Sequence, residues 1–301
     1  MSVRPIVEVR DLWYSYPQES APADFDWRSA RNKERPHAEW VLRGIDFQIE
    51  PGEFMCLMGA SGAGKSTLAL ALNGSVPQST GGRIRGQVLV DGLDTKRVPV
   101  AELARLVGVG FQDPETQFLG ATVERELAFG LENLGVPPNE ISRRVDWALE
   151  LIGMTGCRNR SPAELSGGEK QRVGIAALLA MASPILVLDE PTASLDPEGA
   201  TEVFDIIKHL KGNHTVIMVT QDGERAAECA DRILVIDGGQ VAIAGPPEGV
   251  FRQVDALRAL GVRPPQVSEL AHCLNLRGNG SRFRFTRLEE AARAIEAEQV
   301  S

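Results

Sequence analysis

The sequence predicts an α/β fold built on a buried, largely parallel sheet. Short, wholly apolar runs such as FMCLM (54–58) and ILVLDE (185–190) are typical of strands that are covered on both faces. Two more runs of this kind, TVIMVT (215–220) and RILVID (232–237), follow further along the chain. Helical stretches separate the runs, and this alternation of buried strands with helices predicts the α/β class.

Two earlier segments have a different pattern. Residues 6–14 (IVEVRDLWY) and 40–50 (WVLRGIDFQIE) alternate apolar with polar side chains, as half-buried antiparallel strands do. Residues 17–39, which lie between them, are rich in proline, alanine and charge. We interpret residues 17–39 as an exposed surface insertion.

Helical spacing of apolar residues recurs over 123–134 and 141–152, which predicts a helical insertion beside the sheet. After the last buried run, the turn DGG (237–239) leads to a final strand, QVAIA (240–244).

The chain beyond Gly245 is predicted to be helical. One helix is expected over 247–260, and another over 286–297 (TRLEEAARAIEA). Thr286 and Glu289 have the spacing of a capping box at the start of the second helix.

The composition narrows the class of protein. The chain has 301 residues, of which 43% are hydrophobic, so it can bury a sizeable core. Its net charge of −9 argues against a nucleic-acid partner, because binding of many phosphates needs a basic surface. The four cysteines form no CxxC pair and predict neither a disulfide framework nor a zinc site. The longest apolar run, 173–188, is interrupted by Gly174, Ser183 and Pro184. Because a membrane-spanning helix needs about 20 apolar residues, no membrane span is predicted.

A phosphate-binding motif stands directly after the first buried run. Residues 59–66 (GASGAGKS) fit the pattern G-x-x-x-x-G-K-[ST] at every position, between a predicted strand and a predicted helix. The glycines let several backbone N–H groups face one anion, and the helix start adds the positive end of its dipole. Lys65 would contact the β- and γ-phosphates, and the Ser66 hydroxyl is a hard ligand for Mg²⁺. The predicted nucleotide-binding residues here are Gly59, Ala60, Ser61, Gly62, Ala63, Gly64, Lys65, Ser66 and Thr67.

Two carboxylates end the run ILVLDE. Asp189 lies at the carboxyl end of a buried strand, where it would hold Mg²⁺. Glu190 follows at once and is placed to act as general base for an attacking water. With the phosphate-binding loop upstream, this pair predicts hydrolysis of a nucleotide.

A glycine-rich helix start precedes that strand. Residues 165–181 (LSGGEKQRVGIAALLAM) resemble the signature sequence of ABC ATPases and stand just upstream of ILVLDE, as in that family. The N–H groups at such a helix start can meet a γ-phosphate. In ABC ATPases this phosphate belongs to ATP held by the opposite subunit. The resemblance therefore implies ATP as cofactor and a second ABC ATPase subunit as partner, with Ser166, Gly167, Gly168 and Glu169 facing the partner's ATP.

The resemblance spans residues 7–244 and implies the ABC-type P-loop NTPase fold, in which a mixed β core carries an antiparallel β subdomain and a helical subdomain. It implies an ATPase domain over 1–245, with the helical subdomain at about 113–182. Residues 246–301 are similar to the C-terminal extension that, in related subunits, helps to hold two ATPases together.

Further positions match family motifs one by one. Gln112 matches the Q-loop glutamine, which contacts Mg²⁺ and the attacking water. Ser194 and Asp196 match the D-loop, which lies across the dimer interface. The predicted Mg²⁺ ligands are therefore Ser66, Gln112 and Asp189.

An aromatic residue near the N-terminus completes the expected ATP site. Tyr16 resembles the family's aromatic that stacks on adenine. Tyr14 and Trp13 are alternatives for the stacking role, and packing at a sheet edge is an alternative for all three.

Residues 112–135 (QDPETQFLGATVERELAFGLENLG) indicate a subgroup. They resemble the ATPase subunits of energy-coupling factor (ECF) importers of vitamins and of cobalt or nickel. This resemblance implies a transmembrane coupling subunit and a substrate-binding membrane subunit as partners, and a peripheral location on the cytoplasmic face of the cell membrane. Phe118 and Leu119 suit the floor of a groove for a partner helix, with core packing as the alternative.

One position departs from the family pattern. After TVIMVT the family has a switch histidine, but this chain has Gln221, and no other histidine can replace it. A glutamine amide donates a hydrogen bond to phosphate, but it carries no positive charge and transfers no proton. A heterodimer with an ATPase that keeps its histidine is favoured over a homodimer, and both stay open. With Glu190 and Gln112, Gln221 is a predicted catalytic residue.

The sequence thus predicts the ATP-hydrolysing motor subunit of an ECF-type importer, and it does not encode the transported substrate. Residues 112–135 argue against another ABC transporter class. A soluble ABC ATPase of translation or DNA repair would need a second cassette or a long coiled coil. A P-loop kinase would leave residues 165–181 without a role.

Overall fold

The computed structural model describes residues 4–17, 40–112, 118–277 and 283–299 of the chain. Within those ranges the strands are β1 (Val7–Ser15), β2 (Leu42–Ile49), β3 (Phe54–Met58), β4 (Arg83–Val90), β5 (Leu93–Asp94), β6 (Val107–Gly110), β7 (Ile185–Asp189), β8 (Thr215–Val219), β9 (Arg232–Asp237) and β10 (Gln240–Gly245).

The helices of the same ranges are α1 (Lys65–Leu72), α2 (Ser75–Gln78), α3 (Val100–Leu103), α4 (Val123–Asn133), α5 (Pro138–Leu151), α6 (Gly167–Met181), α7 (Pro197–Lys208), α8 (Gly223–Cys229), α9 (Pro247–Phe251), α10 (Val254–Ala259), α11 (Gln266–Arg277) and α12 (Leu288–Gln299). None of these helices is long and apolar enough to cross a membrane.

The strands form two sheets, and the predicted α/β class with a mixed core and an antiparallel subdomain is confirmed. The smaller sheet is antiparallel, in the order β2-β1-β4-β5. The larger sheet has the order β10-β9-β3-β8-β7-β6, and only β10 pairs antiparallel to its neighbour. The carboxyl ends of the parallel strands therefore meet at one edge of the sheet.

The central strand β3 is apolar throughout because both of its faces are buried. Met55 and Leu57 pack into the core between the two sheets. Phe54, Cys56 and Met58 pack into a second core, which helices α6, α7 and α8 cover from the other side. Such two-sided burial explains why the run FMCLM contains no polar residue.

A helical subdomain lies beside the larger sheet. Helices α4, α5 and α6 share a third core, which includes Leu127, Leu149 and Val173. The two helices expected over 123–134 and 141–152 are confirmed, although α5 begins earlier, at Pro138.

The C-terminal part differs from expectation in two places. The single helix predicted over 247–260 is wrong, because Gln253 adopts φ −87° and ψ 51° and separates α9 from α10. The capping box predicted for Thr286 and Glu289 is also wrong: the carboxylate of Glu290 accepts the backbone N–H groups of Thr286 and Arg287, at 2.9 and 3.3 Å.

The C-terminal segment packs against helix α8. The first residue of α8, Gly223, lies so close to the carbonyl oxygen of Arg263 that a Cβ at this glycine would be 2.5 Å from it. The carboxylate of Glu224 accepts the backbone N–H of Gln266 at 2.7 Å. Arg287 donates to the carbonyl oxygen of Ala227 at 2.8 Å.

Two predictions fall largely outside the described residues. Of the expected surface insertion at 17–39, residues 18–39 are not described, and neither are residues 113–117 of the ECF-like segment.

Candidate functional site: two clefts

The predicted catalytic and nucleotide-binding residues meet at the carboxyl edge of the larger sheet. Gly59 follows β3, Gln112 follows β6, Glu190 follows β7 and Gln221 follows β8. Side chains and loops at this edge enclose a cleft of about 330 Å³, which we call the nucleotide cleft. Three residues of the predicted phosphate-binding loop, Gly59, Ala60 and Ala63, do not line it. It is lined by Tyr16, Val41, Ser61, Gly62, Gly64, Lys65, Ser66, Thr67, Gln112, Asp189, Glu190 and Gln221.

The loop before α1 requires glycine at two positions. Gly59 has φ +145°, and a Cβ there would lie 2.2 Å from the carbonyl oxygen of Ile236. Gly64, the N-cap of α1, has φ +105°, and its Cβ would lie 2.9 Å from Leu42 Cδ2. Because no larger residue fits, the loop keeps its N–H groups and the α1 N-terminus at the cleft, as an anion site requires.

Lys65 brings a positive charge into this cleft. Its side chain is only 7% exposed, and Nζ donates to the carbonyl oxygens of Gly59 and Ala60, both at 2.9 Å. Burial lowers the pKa of Lys65, while the charges of Glu190 and Asp189 oppose that shift. The ammonium group is thus held at the loop where phosphates would bind.

Glu190 is a strained and partly unsatisfied residue. Its backbone has φ +48°, a conformation that costs a non-glycine residue of order 1 kcal/mol or more and is concentrated at functional sites. Its Oε1 is buried and has no hydrogen-bond partner among the described residues. Burial raises the pKa of Glu190, while Gln221 and Lys65 oppose the shift. A carboxylate with a raised pKa is a better proton acceptor, as a general base requires.

Of the three candidate aromatic residues, only Tyr16 lines the nucleotide cleft. Its hydroxyl lies 3.0 Å from the Thr67 hydroxyl, and 41% of the residue is exposed. Tyr14 is fully buried and donates to the carbonyl oxygen of Gly81. Trp13 packs edge to face against Trp40. The geometry thus favours Tyr16, although stacking on adenine stays a prediction.

The signature residues lie in a different cleft, of about 410 Å³, which we call the signature cleft. It shares no lining residue with the nucleotide cleft. Its lining consists of Ser166, Gly167, Gly168, Glu169, Arg172, Ser194, Leu195, Asp196, Glu198, Gly199 and Glu202. The structure therefore brings the signature and D-loop residues together, but apart from the loop that holds Lys65.

The start of α6 is a complete capping box. The Ser166 hydroxyl accepts the N–H of Glu169 at 3.3 Å, and the Glu169 carboxylate accepts the N–H of Ser166 at 2.8 Å. This hydrogen bond from the Ser166 backbone lowers the pKa of Glu169. The carboxylate of Glu169 thus serves the helix cap, and its predicted contact to a partner's ATP remains untested.

Helix α7 begins beside α6 in the signature cleft. Asp196 caps α7 by accepting the N–H of Gly199 at 3.0 Å. A Cβ on Gly168 would lie 3.3 Å from the Cα of Gly199, so two glycines allow the two helix starts to touch. Arg172 also forms an ion pair with Glu202 across the two helices. Contacts between α6 and α7 therefore hold the signature and D-loop residues together.

The sequence interpretation missed several residues of these clefts. Val41, in the nucleotide cleft, comes from the edge of the antiparallel sheet, and nothing in its local sequence marks it. Arg172 lies three residues after Glu169 on α6, and Glu202 lies four residues after Glu198 on α7. Each pair therefore shares one face of its helix, a signal that the sequence did contain.

Comparison with known proteins agrees with this arrangement. A family model described as "ABC transporter" matches residues 42–193. The energy-coupling factor transporter ATP-binding protein EcfA1 of Caldanaerobacter subterraneus subsp. tengcongensis is 43% identical over 241 residues, which cover 79% of this chain and 86% of that protein.

Two solved structures have a similar fold. CbiO1 of Clostridium perfringens, described as part of the ABC transporter complex CbiONQ, has a TM-score of 0.68 at 31% identity and covers 89% of this chain and 99% of its own. An ATP-binding cassette solved as a dimer in a post-hydrolysis state, with ADP and phosphate bound, has a TM-score of 0.64 at 25% identity. It covers 80% of this chain and 98% of its own.

Proposed function

The chain belongs to the family of ABC transporter ATPases, and from that premise we propose that it is the ATP-hydrolysing motor subunit of an ECF-type importer. It would couple ATP binding and hydrolysis to uptake of a vitamin or a transition-metal ion through membrane partner subunits. The observation that carries the proposal is the division of the functional residues between two clefts that share no residue. Because each cleft offers half of an ATP site, a second cassette would complete both. Similarity to EcfA1 and CbiO1 supports the importer subgroup.

In the proposed mechanism, the nucleotide cleft binds and hydrolyses ATP. Lys65 and the N–H groups before α1 bind the phosphates, and Glu190 accepts a proton from the attacking water. Gln221 lies beside Glu190 in the cleft and would donate to the γ-phosphate. Ser166 and the N-terminus of α6 would contact the γ-phosphate of ATP held by the second cassette.

Mg²⁺ fits the donor set of the nucleotide cleft. The Ser66 hydroxyl, the Asp189 carboxylate and the Gln112 amide oxygen are hard oxygen donors that line the same cleft. Within the described residues, no group of three His, Cys, Asp or Glu side chains could hold a metal. We therefore expect a nucleotide's phosphates to supply further ligands. When bound, Mg²⁺ would neutralise charge that develops on the transferring phosphate.

The loop at residues 118–120 supports a membrane partner. Glu126 accepts the backbone N–H groups of Leu119 and Gly120, at 2.8 and 2.7 Å, and so fixes this loop against α4. The Leu119 side chain is 71% exposed, while Phe118 is partly buried against the helical core. The two side chains therefore differ in role. Phe118 packs against the helical core, whereas Leu119 is available to contact a helix of a transmembrane coupling subunit.

The partner cassette is proposed to differ from this chain. Gln221 replaces the family's histidine, and the structure places it in the nucleotide cleft with Glu190. A heterodimer would pair this site with a second site that keeps its histidine, whereas a homodimer would have two glutamine sites. The complex would lie on the cytoplasmic face of the cell membrane.

Copurification from membranes tests the proposed function. A tagged chain, extracted from its own cells in mild detergent, is expected to bring down a second ABC ATPase and hydrophobic membrane subunits. Substitution of Leu119 by Glu should weaken recovery of the membrane subunits, while Glu132→Gln, an exposed change at the far end of α4, should not. Recovery of the chain alone, with full ATPase activity, would contradict a role in transport.

A further inference from the structure

Arg225, in the first turn of α8, contacts two helices at once. Its Nη1 donates to the carbonyl oxygen of Ala200 in α7 at 2.8 Å. Its Nε lies 3.2 Å from Oδ2 of Asp222, and its guanidinium group lies 5.1 Å from the centre of the Phe204 ring. The sequence analysis gave Arg225 no role, and its side chain is only 18% exposed.

On one side, Arg225 is bound to the loop that enters the nucleotide cleft. Asp222 directly follows Gln221 and caps α8, with Oδ1 accepting the N–H of Arg225 at 3.1 Å. Its own N–H donates to the hydroxyl of Thr220 at 3.0 Å. Asp222 thus contacts the backbone of Arg225 through one oxygen and its side chain through the other, which links the residue after Gln221 to the guanidinium group.

On the other side, Arg225 is bound to the helix that begins in the signature cleft. Ala200 lies in the first turn of α7, and its N–H donates to the carbonyl oxygen of Asp196 at 2.9 Å. Ser194 lies just before this helix start and lines the signature cleft. Two contacts, one to the Ala200 carbonyl and one to the Phe204 ring, therefore tie the guanidinium group to α7 near its start.

An ion pair between α7 and α8 provides a contrast. Lys208 and Glu228 meet at 3.4 Å near the opposite ends of α7 and α8, and each side chain is 51% exposed. Exposed pairs contribute about 0–1 kcal/mol because water screens them. Arg225 is better shielded and has fixed partners, so its contacts resist displacement more strongly.

We propose that Arg225 is a positioning residue that couples the nucleotide cleft to the signature cleft. This inference rests on the proposed function, since it assumes that Ser194 and Asp196 face the ATP of a second cassette. A displacement of Gln221 when the γ-phosphate binds or leaves passes through Asp222 and Arg225 to the first turn of α7. Asp196 caps that turn and Ser194 lies just before it, so a change at one ATP site would alter the other.

The test compares Arg225→Met, Arg225→Lys and Lys208→Met in the purified, assembled complex. Methionine keeps an unbranched, somewhat shorter side chain but removes the contacts of the guanidinium group to Ala200, Asp222 and Phe204. We expect kcat to fall about tenfold, within the usual range of coupling between sites. The dissociation constant of ATP, measured on the isolated chain, should change less than about twofold, because Arg225 does not line the nucleotide cleft. Lys208→Met removes the α7–α8 ion pair and should leave kcat unchanged.

Arg225→Lys separates positioning from stability. Lysine retains a charge beside Asp222 but lacks the planar group that reaches Ala200 and covers Phe204. We expect the melting temperature to recover to near that of the unmodified chain, while kcat stays below about half. Full recovery of kcat together with the melting temperature would show a merely structural role and overturn the proposal.

A double-mutant cycle locates the far end of the coupling. If Arg225 acts through α7, Arg225→Met combined with Ser194→Ala should lower kcat by much less than the product of the two single effects. The cycle between Lys208→Met and Ser194→Ala should be multiplicative. A multiplicative cycle for Arg225, or no effect of Ser194→Ala, would overturn the coupling.

A signature variant distinguishes failure of the coupling from failure of the proposed function. Ser166→Arg places a long side chain at the start of α6 and should abolish hydrolysis if a second cassette's ATP binds there. If Ser166→Arg is inactive but Arg225→Met is fully active, only the coupling fails. If Ser166→Arg is fully active, the two-cassette arrangement fails, and the coupling fails with it.

Discussion

The nucleotide cleft and the signature cleft differ in how the carboxylates within them are hydrogen-bonded. In the nucleotide cleft, Glu190 has a buried oxygen without a partner among the described residues, and its pKa is raised by burial. In the signature cleft, Ser166 and Glu169 satisfy one another's backbone N–H groups, and Asp196 accepts the N–H of Gly199. The nucleotide cleft therefore contains a carboxylate oxygen that no described residue satisfies, whereas both helix starts of the signature cleft are capped.

This difference indicates that the nucleotide cleft carries out the chemistry and that the signature cleft presents N–H groups to a phosphate. A buried oxygen without a partner destabilises the folded chain, and such a cost persists where the group is needed for chemistry. A capped helix start is stable by itself and offers N–H groups to a phosphate that another molecule carries. Substitutions that remove a reacting group of the nucleotide cleft should therefore change the rate most, and those that remove only the Glu169 cap should change stability.

Replacement of Glu190 by Gln should give the largest effect on rate. Removing the proton acceptor is expected to lower kcat by about 10²–10⁴-fold. ATP should still bind, because Lys65 and the phosphate-binding loop are untouched. Single-turnover ATPase assays and equilibrium binding of ATP measure the two quantities. Lys65→Ala is the matched contrast, since it should lose ATP binding itself.

Glu190→Gln should also show how much the buried carboxylate of Glu190 destabilises the fold. A carboxylate whose folded pKa is raised destabilises the fold above that pKa, and the cost disappears as pH falls below the unfolded value. Glu190→Gln should therefore melt at a higher temperature than the unmodified chain at pH 7 but not at pH 4. The kcat/KM of the unmodified enzyme, which reports groups of the free enzyme, should fall as pH drops through the raised pKa of Glu190, and this limb should be absent from the variant. A melting temperature that is equal or lower at pH 7 would contradict the comparison.

Gln221→His should have an intermediate effect. The loss of a whole preorganised donor costs about 10²–10³ in kcat, but the glutamine amide already donates. We therefore expect the ATPase rate of the assembled complex to rise by about tenfold, with ATP affinity unchanged. Gln221→Asn, with a shorter amide, is the control and should lower the rate. If histidine gives no gain, glutamine already does the work of the switch residue.

Glu169→Ala should have the smallest effect and should act on stability. Loss of the cap is expected to cost about 1 kcal/mol, which lowers the melting temperature by about 1–2 °C for a chain of this size. Because the folded pKa of Glu169 is lowered, the cap's charged contribution is present above the unfolded pKa and is lost as pH falls through the folded one. Glu169→Gln keeps an oxygen acceptor and should melt closer to the unmodified chain in calorimetry. A large loss of rate in Glu169→Gln, with unchanged stability, would instead favour a direct role at the phosphate.

Local sequence predicted much of this architecture, since the apolar run of β3 and the spacing of residues 59–66 each reflect a constraint within a few residues. Strand β6 was missed because its sequence, VGVG, has little side-chain volume. Gly108 and Gly110 lie against Leu178, with which an added Cβ would be in close contact at 3.4 and 3.1 Å. That constraint comes from a distant helix and leaves no local periodicity.

The candidate site shows the same limit. Lys65, Asp189 and Glu190 were predicted because each stands at the end of a recognisable element. Val41 and Arg225 were missed, because their positions depend on pairing between β1 and β2 and on packing of α8 against α7. Contacts between elements that are far apart in sequence have no signal in a single chain.

The packing of the C-terminal segment on α8 has a consequence for turnover. Helix α8 follows Gln221 directly, and Arg263, Gln266 and Arg287 hold it along its length from outside the cassette core. Any change that strengthens or weakens these contacts should alter how freely the loop that contains Gln221 can move. Two ABC ATPases with identical motifs but different C-terminal segments are therefore expected to hydrolyse ATP at different rates.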